Sequence, residues 1–75
     1  MKSTYYVLAV WDPEASVWTS ETDIPGLVIE ANTLAEFESL MFELGPEMLA
    51  ANAPDRHGVV SVQFRAEANR DLQVA

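Results

Sequence analysis

The sequence predicts an α+β domain of order β-β-β-α-β, one mostly antiparallel sheet with a single helix packed on one face. Three observations predict it. Three β-favouring segments separated by turn motifs precede Asn32. A capped, periodic helical segment starts at Thr33. A strictly alternating segment, Val59 to Ala66, follows the helix. The chain has 75 residues, room for one domain spanning 1–75 and not for a second core.

From Thr4 to Trp11 the residues are Thr-Tyr-Tyr-Val-Leu-Ala-Val-Trp, an unbroken β-favouring run. It ends at Asp12-Pro13-Glu14-Ala15, where Asp first and Pro second suit a type I turn. Ser16 to Thr22 alternates β-branched or aromatic residues with polar ones and should pair with the first strand as a hairpin. Asp23-Ile24-Pro25-Gly26 makes a second turn, and Leu27 to Ala31 a short third strand.

Thr33-Leu34-Ala35-Glu36 reads as a capping box. Leu34, Phe37, Met41, Leu44 and Met48 then recur at helical spacing, with Leu40 beside them. Gly45-Pro46 interrupts the pattern, so a kink is expected, or a stop at Leu44 with a restart at Pro46 reaching about Ala51. Asn52 is the expected C-cap of a helix followed by a breaker-rich loop to Gly58. In the last strand Val60, Val62, Phe64 and Ala66 form the apolar face. A turn at Ala68-Asn69 would let the tail add a short final strand at Leu72–Val74.

Composition narrows the function. Twelve acidic residues against four basic ones give a formal charge of -8 and a pI near 4.2. Lys2, Arg56, Arg65 and Arg70 do not cluster, so direct nucleic-acid binding is not expected. There is no cysteine and a single histidine, His57, so neither a disulfide nor a transition-metal site is expected. No apolar run approaches a membrane span, and the N-terminal residues lack an apolar signal region, so the expected location is cytoplasmic.

Nothing in the sequence supports catalysis. The carboxylate pairs Asp12 with Glu14 and Glu21 with Asp23 sit at turns, where such residues serve the backbone. His57 stands beside Arg56 in a loop, with no cysteine nucleophile anywhere and no serine in a nucleophile-elbow context. No glycine-rich phosphate loop and no calcium-loop spacing is present, so no cofactor is expected.

Binding to protein is the reading that remains. The first strand is apolar on both sides: Tyr5, Val7, Ala9 and Trp11 on one, Tyr6, Leu8 and Val10 on the other. One helix covers one face, so the second face is expected to meet another copy or a partner. Glu36, Glu43 and Glu47, with Glu38, give the helix an acidic side that reads as solvated surface or as a dock for a basic protein. Trp11 and Trp18 flank the first turn and read equally as interface anchors or as core.

Order and motifs together resemble the HicB family of antitoxins, in a short branch of uncharacterised domains related to it. The resemblance rests on Trp11-Asp12-Pro13-Glu14-Ala15, Val17-Trp18, Asp23-Ile24-Pro25-Gly26-Leu27, and Glu30-Ala31 running into Thr33-Leu34. It extends through Leu44, Pro46-Glu47, Leu49 and Asn52, about two-thirds of the chain. It implies a partial ribonuclease-H-like fold without nuclease activity, in which the last strand lies beside the first and parallel to it. It also implies homodimers that bind and occlude a small, basic, RNA-cleaving HicA-like toxin. The DNA-binding segment that many members carry has no counterpart up to Ala75, so autorepression is not implied. The expected function is therefore a non-catalytic, antitoxin-like binding module; the alternative is a homodimeric structural or regulatory domain with no toxin partner.

Overall fold

A computed structural model describes residues 4–53 and 58–75. The expected solvated loop histidine, His57, and its neighbour Arg56 lie outside the described residues. Among the described residues four strands and one helix follow in the order β1 (Thr4–Asp12), β2 (Val17–Thr22), β3 (Glu30–Ala31), α1 (Leu34–Asn52) and β4 (Ser61–Glu67). The sheet order is β3-β2-β1-β4. β1 pairs antiparallel with β2 and parallel with β4, and β2 pairs antiparallel with β3. The α+β class and the parallel placement of the last strand beside the first agree with expectation, and the sheet is mixed.

The first hairpin closes as its turn residues require. Asp12 Oδ1 accepts from the Glu14 N–H at 3.0 Å and from the Ala15 N–H at 3.3 Å, and Asp12 O accepts from the Ser16 N–H at 2.8 Å. Ser16 takes a left-handed φ of 57°, which carries the chain from the turn into β2. At the other end of β2 a second tie replaces the ladder. Thr22 Oγ1 donates to Tyr6 O at 2.7 Å and accepts from the Ile24 N–H at 3.1 Å, while Asp23 Oδ1 accepts from the Tyr6 N–H at 2.9 Å. The Leu27 N–H then closes on Ile24 O at 3.2 Å across Pro25-Gly26, with Gly26 at φ +80°, the geometry of a type II turn.

The third strand is shorter than Leu27–Ala31 predicts. Ile29 N–H donates to Ser20 Oγ at 2.9 Å instead of to a backbone carbonyl of β2, so ladder pairing is confined to Glu30 and Ala31. Leu27 and Ile29 still turn inward and are buried, with Val28 exposed between them.

The helix begins where its cap says. Thr33 Oγ1 accepts from the Glu36 N–H at 3.1 Å, and Glu36 reaches back to the Asn32 N–H at 3.3 Å, one residue before the usual capping-box donor. Thr33→Ala is expected to destabilise the domain by about 1 kcal/mol. In urea that is a midpoint shift of about 1 M, given a slope of about 1 kcal/mol/M for so small a chain. A shift under about a tenth of that would show that the cap contributes nothing.

Gly45-Pro46 does not stop the helix, which runs through Pro46 as one element to Asn52. The reason lies in the side on which the missing hydrogen bond falls. Pro46 deprives the carbonyl of Phe42, and both residues are on the exposed side, where water replaces the lost donor. The buried stripe is Phe37, Met41, Gly45 and Leu49, with Leu40, Leu44 and Met48 partly buried beside it, whereas Leu34 is on the surface. Asn52 is not the C-cap: Ala53 is, and the Asn52 side chain instead donates to Pro25 O at 3.1 Å. The core is a single cluster that joins these helix residues to Tyr5, Val7, Ala9, Trp18, Ile24, Leu27, Ile29 and Ala31.

Two expectations about the end of the chain need correction. Residues 68–75 form no final strand. A two-residue turn at Ala68-Asn69 would set Leu72 opposite Arg65 and Val74 opposite Gln63, putting both apolar side chains on the polar face of β4. Ala68 also lacks the preference for positive φ that such tight hairpin turns demand. Nor does the helix cover the whole inner face. A helix about 10 Å wide spans roughly two strands at ~4.8 Å spacing, not four. β4 is left over: Phe64 packs partly on the core, while Val62 and Ala66 stay exposed.

Candidate protein-binding surfaces

The residues singled out in the sequence fall at three places. Register fixes the first. Tyr6, Leu8 and Val10 form a row along the middle of the face turned away from the helix. Leu8 is flanked by Glu21 of β2 and Arg65 of β4, and Val10 by Thr19 and Glu67. Glu30 follows on β3 beside Thr19. Tyr6 is 45% exposed, whereas Leu8 and Val10 are half-buried beneath their longer neighbours. The result is an apolar row one strand wide, with three carboxylates and the Arg65 guanidinium around it.

The second place is the helix. Glu36, Glu43 and Glu47 are spaced by seven and four residues and share one exposed flank. That flank is separate from the open sheet face, so these glutamates and the Tyr6 row do not form one continuous patch. The third place is the end of the first hairpin. Trp18 is buried, and Trp11 is partly buried against it with ring centroids 5.3 Å apart at 61°. Of the two readings for the tryptophans, core packing describes Trp18. Trp11 keeps one side open, over which the Arg70 guanidinium stands 4.8 Å from the ring centroid.

A fourth surface escaped the sequence reading. Where α1 fails to reach β4, a groove of about 550 Å³ opens between them, lined by Met41, Phe42, Pro46, Leu49, Val62 and Phe64 among others. Phe42 is 71% exposed at its rim. Its position off the buried helical stripe, together with the apolar alternation of β4, is the signal that could have found it. Among the described residues Glu38 is the carboxylate in the lining, and the rest of that lining is apolar or glycine. Among the described residues no group of three or more histidine, cysteine, aspartate or glutamate side chains could hold a metal ion, and no helix is long and apolar enough to cross a membrane.

Among the described residues, one helix laid on a four-stranded mixed sheet, with apolar surface left open on both faces, defines a small α+β domain. Residues 4–74 match the family described as Domain of unknown function (DUF1902), and the chain belongs to that family. The crystal structure of hypothetical protein TTHA1013, from the extremely thermophilic bacterium Thermus thermophilus, is similar: 40% identical, with 95% of this chain and 99% of that chain covered at a TM-score of 0.71. No curated protein matches the sequence.

Proposed function

We propose that the domain is a non-catalytic binding module that works as a HicB-type antitoxin does, occluding a small basic protein such as a HicA-like toxin. The observation that carries the reading is the open sheet face. Its Tyr6–Leu8–Val10 row supplies the desolvated centre that binding surfaces need, and Glu21, Glu30 and Glu67 supply a rim that suits a cationic partner. The charge of -8 adds long-range attraction, to which Glu36, Glu43 and Glu47 contribute from the helix. The HicB resemblance of the turn and helix motifs points to the same class of partner.

The test is biolayer interferometry of the full chain against a basic HicA-like protein. Tyr6→Ala should weaken binding about thirtyfold, the effect of losing a central anchor worth about 2 kcal/mol. Neutralising Glu36, Glu43 and Glu47 to glutamine should slow association and flatten its salt dependence while leaving dissociation nearly unchanged. Binding indifferent to Tyr6→Ala in a variant with unchanged circular dichroism would place the partner elsewhere. Tight duplex DNA binding at moderate salt would put the domain in another class.

A further inference from the structure

We infer that the tail, residues 69–75, is a fifth strand for a second copy of the chain, added to the outer edge of that copy's β4 and capping its α1–β4 groove. This assembly needs no toxin-like partner and stands apart from the open-face reading.

Shape gives the first argument. The chain is 55 Å long against 19 and 16 Å across, with a radius of gyration of 14.3 Å. A compact chain of this length has about 11 Å. The excess is accounted for if the tail continues the line of β4, since fifteen residues from Ser61 to Ala75 reach about 50 Å at ~3.3 Å each. Arg70 over Trp11 holds the base of the tail at the hairpin end, away from its own groove. Leu72 and Val74 at its tip are 88% and 90% exposed. On a straight continuation of β4 the two share one face, an uncovered apolar pair rather than a single scattered residue.

The receiving edge gives the second. Among the described residues β4 has one hydrogen-bonded neighbour, β1, and its other edge is bare over seven residues. No proline or bulge interrupts it, and its charged residues, Arg65 and Glu67, lie on the face away from the groove. Beside that edge lies the groove with Phe42 and Val62 open.

Register gives the third, and it is specific. A two-fold axis through Ala68 sets β4 and the tail of one copy antiparallel to the tail and β4 of the other. Leu72 then lies opposite Phe64 of the second copy, and Val74 opposite Val62, all on the helix-side face that the groove exposes. On the other face Asp71 meets Arg65 of the second copy, Gln73 meets Gln63 and Asn69 meets Glu67. No like charges oppose each other, and the side chain at the axis is a methyl group. The same tail folded back on its own β4 through a two-residue turn puts Leu72 against Arg65 instead.

Sedimentation of the full chain at micromolar concentration should show a dimer. The Leu72→Asp, Val74→Asp double variant should weaken it at least about thirtyfold and leave a folded monomer, since both side chains are exposed in the single copy. Asp71→Arg and Arg65→Asp should each weaken the dimer about tenfold, and the two together should restore it. A chain carrying Asp71→Cys and Arg65→Cys should oxidise to a covalent dimer, with no native cysteine to confuse the product. A strict monomer, a dimer indifferent to the tail substitutions, failure of the charge swap to rescue, or an internal disulfide within one chain would each overturn the assignment.

Discussion

Phe37→Ala is expected to destabilise the domain by about 3 to 5 kcal/mol, the range for emptying a buried phenylalanine site. Phe37 is fully buried and sits one turn into α1, where it meets the inner side of the sheet. Its ring lies 5.9 Å from that of Phe64, so it also anchors the partly covered β4 to the core. Deleting the ring empties the junction between helix and sheet, and an adjacent open groove gives the surroundings little to collapse with. A chain of 75 residues has a total stability of about 4 to 11 kcal/mol, so the loss takes at least about a quarter of it and, at the low end, all of it. Thermal unfolding by circular dichroism should show a broadened transition at much lower temperature. Phe37→Leu, which keeps most of the volume, should lose less than about 1.5 kcal/mol. Equal losses for the two variants would mean that burial of volume is not what Phe37 contributes.

The parts of the fold visible in the sequence are those set by local chemistry. Asp12-Pro13 fixes the first turn, Thr33 with Glu36 fixes the helix start, and the alternation around Val62 and Phe64 fixes the last strand. What was not visible depends on non-local partners. Nothing in the spacing of Leu27 to Ala31 reveals that Ser20 Oγ takes the Ile29 N–H and shortens β3. Asn52 looks like a C-cap until Pro25 O is found within its reach. Pro46 looks like a helix breaker until its missing bond is placed on the solvent side. The helix's narrow reach over four strands is a matter of widths, and periodicity carries no widths; so the groove beside Phe42 stayed hidden. Of the eight residues singled out, Tyr6, Leu8 and Val10 emerge together on one face. Trp18 goes to the core and the glutamates to a separate flank, because sequence fixes which side of its own element a residue takes but not which elements end up adjacent.

Gly26→Ala is expected to lose about 2 kcal/mol although it adds one methyl group at an exposed turn. Two effects combine. Gly26 sits at φ +80°, a conformation that costs an L-residue about 1 to 2 kcal/mol. The added Cβ would also stand 2.9 Å from Asn52 Nδ2 and 3.3 Å from Met48 Sδ. Asn52 Nδ2 is the donor that joins the end of α1 to Pro25 O, so pushing it aside unlocks the helix from the β2–β3 turn. The contributions separate in a double-mutant cycle. Asn52→Ala removes the tie alone and should lose about 1 kcal/mol, the ordinary net worth of a hydrogen bond. In the Asn52→Ala background the incoming methyl group meets no amide, so Gly26→Ala should then lose only the conformational part and whatever the flexible Met48 side chain costs to move. The coupling measured from urea midpoints, the double variant's loss minus the two single losses, should be negative, about -0.5 to -1 kcal/mol. Strict additivity would show that Asn52 does not bear on Gly26, leaving backbone conformation as the whole reason for glycine at the turn.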